Sequence, residues 1–183
     1  MRKFSSLAGV VLFVVGFAAV AMDAAATRSK VAEILGIDAD QVVYAHQAKF
    51  AFIKDYLHEP SVGGKMPGGF RTGIYAQTAE SIVLLLEKDK QLELVLNLPF
   101  ADVQQVTTAK WTPLLSRTAL GQLQVEFAGN LLAIDCNDKL SQAGGSAKDT
   151  EDAYQHLLGA GLTAGESHVW VHEGGPNIVT VYQ

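Results

Sequence analysis

Leu92-Glu93-Leu94-Val95-Leu96-Asn97-Leu98-Pro99-Phe100-Ala101-Asp102-Val103-Gln104-Gln105-Val106 is the stretch that decides the fold class. Leu92, Leu94, Leu96 and Leu98 recur at every second position. That period predicts a strand over Gln91–Leu98 with the four leucines on one face. Pro99 ends it, and Asp102–Thr108 restarts as a strand carrying Val103 and Val106. Upstream, Glu87-Lys88-Asp89-Lys90 is a charged turn. Before it, Ser81–Leu86 (Ser-Ile-Val-Leu-Leu-Leu) is a near-continuous apolar run, as expected of a strand covered on both sides. Phe70–Tyr75 reads as a further short strand.

The same pattern extends outward. Gln41–Ile53 is rich in β-branched and aromatic residues and reads as a strand. Leu123–Phe127 and Leu131–Ile134 flank Ala128-Gly129-Asn130, a hairpin turn in which Gly and Asn tolerate positive φ. The chain closes with a second hairpin, His168–His172 and Ile178–Tyr182 around Glu173-Gly-Gly-Pro-Asn177. Two helices frame the strands. In Thr27–Leu35, Val31, Ile34 and Leu35 fall at helical spacing, and Gly36 stops the run. Asp149–Leu158 carries acidic residues early, which suits the helix dipole, and an apolar face of Tyr154, Leu157 and Leu158. Two irregular stretches remain, Glu59–Gly69 with two Pro and four Gly, and the polar Asn137–Ala147. The expected class is α+β and mainly β: a partly closed barrel or sandwich with a C-terminal helix at an open end and an added terminal hairpin.

The order within Gly73–Val106 resembles the centre of GRAM-like and bacterial pleckstrin-homology-like (PH-like) domains. There a G-x-L-x-L-T strand precedes an apolar strand and an I-P-Y-x-D-I-x-x-V segment. Leu98-Pro99-Phe100-Ala101-Asp102-Val103-Gln104-Gln105-Val106 matches the second motif. Gly73-Ile-Tyr-Ala-Gln-Thr78 matches the first less fully: Ala76 stands where a larger apolar residue is common, and Ala79-Glu80 replaces an Asp-Lys/Arg pair. The resemblance covers residues 36–159 and implies a non-catalytic barrel that binds lipid, peptide or a partner domain. Inositol-phosphate sites of the family use clustered Lys and Arg in the first loop. Here Lys54, Lys65 and Arg71 are interspersed with Asp55, His58 and Glu59, so no such site is carried over.

The N-terminus has its own reading. Arg2 and Lys3 precede Phe4–Met22, 19 residues without a charge. Ala19-Val20-Ala21 and Ala24-Ala25-Ala26 both fit the small-x-small rule of signal peptidase. Residues 1–26 are therefore read as a signal peptide cleaved after Ala26 or Ala21, with an uncleaved membrane anchor as the competing reading. Residues 27–183 are then one exported domain, periplasmic or extracellular, or held on the inner membrane and facing outward. The one Cys is Cys136, so no thiol near the leader can carry a lipid.

Charge and composition exclude several functions. The chain of 183 residues has 49% hydrophobic residues and a net charge of −5. Removing Arg2, Lys3 and Asp23 with the leader leaves 12 basic and 18 acidic residues, a net −6. An acidic surface disfavours nucleic acid and anionic lipid headgroups. One Cys provides neither a disulfide framework nor a multi-cysteine metal site.

Catalytic signatures are few. There is no Gly-x-Ser-x-Gly elbow and no His-Glu-x-x-His. His168 and His172 on one strand would lie about 13 Å apart, too far to share a metal. No metal site and no cofactor is expected. Cys136 reads as a partly buried structural thiol, and Asp135 with Asp138 as a solvated turn. Trp111, Leu114 and Leu115, between predicted strands, and Trp170 in the last hairpin are the candidate surface for a ligand or partner. The leading expectation is a non-catalytic binding or scaffold module of the bacterial envelope, with a protein or lipid partner there and membrane contact only through an uncleaved leader. Two others stand beside it: a small exported hydrolase using Cys136 or a His, and a subunit of a surface assembly that pairs strands through the final hairpin.

Overall fold

The computed structural model describes residues 24–53, 70–111, 119–137, 145–167, 170–175 and 178–182. Its elements, in chain order, are α1 (Ala24–Leu35), β1 (Val42–Ile53), β2 (Arg71–Thr78), β3 (Ser81–Lys88), β4 (Gln91–Pro99), β5 (Gln105–Trp111), β6 (Leu120–Phe127), β7 (Asn130–Cys136), β8 (Gly145–Ser146), α2 (Ala147–Gly159), β9 (Trp170–Gly175) and β10 (Ile178–Tyr182). The order in the main sheet is β4-β3-β2-β1-β7-β6-β5, antiparallel throughout, with β8 added to β6. Strands β9 and β10 form a separate hairpin. This is the expected α+β class, a succession of antiparallel strands followed by a helix. The barrel expectation needs one correction. The sheet stays open, with β4 at one edge and β5 at the other.

β1 holds the sheet together. It pairs with β2 over Val42–Phe50 and with β7 over Ala48–Ile53. Where the two pairings overlap, Gly73, Ala48 and Cys136 stand side by side. A Cβ on Gly73 would sit 1.9 Å from the Leu85 carbonyl oxygen. Small residues are needed where the backbones approach this closely.

Both faces of β1–β3 are covered. On the inner face Ala48, Phe50, Tyr75, Ile82, Leu84 and Leu98 join Leu123, Val125, Leu132, Ile134, Ala153 and Leu157 in the main core. On the outer face Val31 and Ala32 of α1 pack against Val42, Ala45, Ile74, Ala76, Val83 and Leu85. β3 alternates between the two cores, covered on both sides as its continuous apolar run predicts. α1 begins three residues before the predicted helix, and Thr27 is buried in it.

β4 departs from its sequence pattern. Its register with β3 shifts between Leu84 and Leu85, which pair with Leu96 and Leu94 and leave Val95 as an extra residue. A bulge of one residue swaps the faces beyond it. Leu96 and Leu98 face the inner core, whereas Leu92 packs on the α1 side. Leu94 and Val95 are left exposed. The four leucines therefore do not share a face. The β6–β7 turn carries its positive φ at Ala128 and Gly129, not at Asn130. Asn130 instead donates its side-chain amide to the Phe127 and Ala128 carbonyls, at 3.2 Å each.

α2 closes one end of the inner core. Ser146 caps it by accepting from the Asp149 amide. Thr150, Ala153 and Leu157 are its buried residues, while Tyr154 and Leu158 pack at the margin. Gly121 of β6 makes room for it, since a Cβ there would lie 2.9 Å from the Thr150 side chain and 3.0 Å from the Ala147 Cα. Gly121→Ala is therefore expected to lower stability by about 1–3 kcal/mol through overpacking. Chemical denaturation monitored by circular dichroism checks this, and an unchanged midpoint would contradict the packing described.

Candidate functional site

Of the residues singled out in the sequence as a surface, Trp111 and Trp170 lie among the described residues. Trp111 is the last residue of β5, in register with Leu120. Trp170 is the first of β9, in register with Tyr182. Leu114 and Leu115 lie outside the described residues, as do the Gly/Pro-rich stretch after Lys54, Asp138, His168 and the apolar leader up to Asp23. Among the described residues no helix is long and apolar enough to cross a membrane, and no group of three His, Cys, Asp or Glu is placed to hold a metal.

Cys136 is fully buried in the main core. Its neighbour in that core, Tyr75, is also without exposure. Burial lifts the Tyr75 phenol well above its ordinary range. The Gln77 amide donates to the Tyr75 oxygen at 2.5 Å and to the Ala153 carbonyl at 3.0 Å, tying β2 to α2. A substrate could not reach a nucleophile in this position.

A second polar system was not foreseen. Gln122, Gln124 and Asp135 are buried on the outer face of β6 and β7. The Gln122 amide donates to Asp135 at 2.9 Å and to the Val171 carbonyl at 2.7 Å. Gln124 donates to the Gln122 side-chain oxygen at 3.0 Å, and the Ser167 hydroxyl to the Gln124 oxygen at 2.9 Å. Asp135 is thus no solvated turn residue; it holds the Gln122 amide, while Gln122 and Gln124 tie β9 and Ser167 to the sheet. The period-2 spacing of Gln122 and Gln124 in an otherwise apolar strand was the available signal.

The same segment covers one sheet edge. The Val106 amide donates to the Thr163 carbonyl and the Gly165 amide to the Val106 carbonyl, at 2.9 and 2.8 Å. Edge strand β5 is thereby masked over part of its length.

Two open surfaces stand out among the described residues. The first is aromatic. Phe52 pairs with Leu132, a residue of the main core, so it points to the inner face, yet it is 44% exposed. Phe127 lies beside it with ring centroids 5.7 Å apart, in a tilted arrangement. Eight positions back along β1, Tyr44 donates to the Asp149 carbonyl of α2 at 3.2 Å. The helix thus closes one end of the inner core, and toward the other Phe52 is exposed beside a half-buried Phe127.

The second is concave and lies along the first turn of β1. One cavity of about 500 Å³ runs between the end of α1 and the β2–β3 turn, and another of about 660 Å³ between that turn and the end of α2. Val43, Thr78 and Ala79 line both. Near it, the His46 Nδ1 donates to the Gln47 carbonyl at 2.7 Å, and its Nε2 is 3.6 Å from an Asp149 carboxylate oxygen. Tyr44 has His156 across from it, ring centroids 5.1 Å apart.

No family model and no curated protein matches the chain. Among solved structures it is similar to one described as the Slm1-PH domain in complex with phosphoserine. The identity is 11% and the TM-score 0.38, covering 64% of this chain and 93% of that one.

The burial of Cys136 has a direct test. Its thiol should react with a maleimide only as the protein unfolds, so labelling in native buffer should be slower by orders of magnitude than in denaturant. Fast native labelling would reopen the catalytic reading of this residue.

Proposed function

We propose that the chain is a non-catalytic binding or scaffold module exported to the bacterial envelope, where it meets a protein or lipid partner through its uncovered aromatic rim. The observation that carries this reading is Phe52, an inward-facing aromatic left 44% exposed beside Phe127. An aromatic held this way adds apolar area to a contact at little further entropic cost, because strand pairing already fixes its backbone. A fully buried Cys136 supports binding over thiol-dependent hydrolysis.

Export rests on Arg2, Lys3 and the apolar run to Met22. Of the two processing sites, the one after Ala21 leaves α1 whole. Cleavage after Ala26 would remove Ala24–Ala26, the first turn of that helix, next to the buried Thr27. A strand-pairing role in a surface assembly would use the final hairpin, which forms its own two-stranded sheet.

Retention of a partner from envelope extract tests the reading. The processed protein should retain a defined lipid or protein, and Phe52→Ser with Phe127→Ser should lose most of it. Thermal melting of that double variant separates lost contact from lost fold. A monomer that retains nothing, or a double variant that folds and retains its partner fully, would contradict the proposal.

A further inference from the structure

The groove along the first turn of β1 carries a second, separate docking surface. Its floor is apolar: Leu35, Ile37, Val43, Ala79 and Pro99 line it from α1 to β4. Val43 stands at its centre, shared by both cavities and 43% exposed. It is held outward by a break in the β1–β2 register between Val42 and Tyr44, which leaves Val43 as an unpaired extra residue. Bulges of this kind re-aim a side chain that regular pairing would turn to the other face.

The charge around that floor has one sign. Asp40, Glu80 and Asp152 line the two cavities, and among the described residues no Lys or Arg does. Asp152 is already paired with Lys148. Asp40 and Glu80 form no ion pair among the described residues, and both are exposed. The amides of Gln41 and Asn97 and the Thr78–Ser81 hydroxyl pair complete the rim with groups that can bond an extended backbone.

We infer that this groove binds an extended cationic peptide segment, one apolar side chain seated against Val43 and flanking Lys or Arg side chains meeting Asp40 and Glu80. Charge complementarity selects that occupant. An acidic peptide would meet uncompensated carboxylates, and an anionic lipid surface would be repelled for the same reason. A second copy of the acidic chain would bring carboxylates against carboxylates. The inference is independent of the aromatic rim, which lies toward the other end of β1.

Fluorescence anisotropy with two labelled heptapeptides tests it: Lys-Leu-Lys-Val-Lys-Leu-Lys, and its counterpart with Glu at every Lys. The purified full chain should bind the lysine peptide, more weakly as salt rises, and show no binding of the glutamate peptide. Asp40→Asn with Glu80→Gln should weaken binding about fivefold. Val43→Ser should weaken it by a similar factor without moving the thermal midpoint, since Val43 is exposed in the free protein. The Phe52→Ser, Phe127→Ser variant should bind the lysine peptide as the parent does, which separates this site from the rim. Equal binding of both peptides, no binding, or binding unaffected by all three groove substitutions would overturn the inference. A dimer that Val43→Glu dissolves would assign the groove to a second copy and overturn it as well.

Discussion

Everything in this molecule depends on β1 having two partners. Its first part belongs to the β1–β4 half of the sheet and its last part to the β5–β7 half. One strand of 12 residues therefore carries the only ladder joining the halves among the described residues. The row Gly73–Ala48–Cys136 is what lets it do so. Each member is small and buried, and a side chain on Gly73 would collide with the backbone of β3. The lone cysteine is thereby explained as a small, apolar residue in a close-packed row, where a larger side chain would push the ladders apart. The same crossing forms the inner core, because both halves contribute residues to it.

The outer faces of the two halves are solved differently. The first half hides its outer face under α1 with aliphatic contacts. The second half hides its own under the C-terminal segment, using Gln122, Gln124 and Asp135 as a bonded polar layer. Polar side chains buried in this way are tolerated because each finds a partner, and they fix one register where aliphatic contacts would allow several. With α2 filling one end of the inner core, the aromatic rim and the groove around Val43 are left open to contact among the described residues.

Much of the fold was legible in the sequence. The strands, the closing hairpin and both helices followed from period and turn chemistry, because each is dictated by neighbours in the chain. The parts that were missed depend on partners elsewhere. Nothing local in Leu92–Leu98 reveals that Val95 is a bulge, since the extra residue exists only relative to β3. Ala128 at φ 48° is likewise imposed by the two-residue turn it shares with Gly129 and not by its own preference. The candidate surface was the least legible. Exposure in a sheet is decided by what lies across it. Phe52 looks like any core phenylalanine until its position near an uncovered end is known, and Val43 like any strand valine until its pairing break is seen.

The central claim is that β1 makes the two halves one cooperative unit. Amide hydrogen exchange resolved residue by residue tests it most directly. The account predicts that the amides of Ala48–Phe50, and those of β2 and β7 paired with them, exchange only through global unfolding, with one common free energy. A β5–β7 half that opens at distinctly lower free energy, while β1–β4 stays protected, would contradict it.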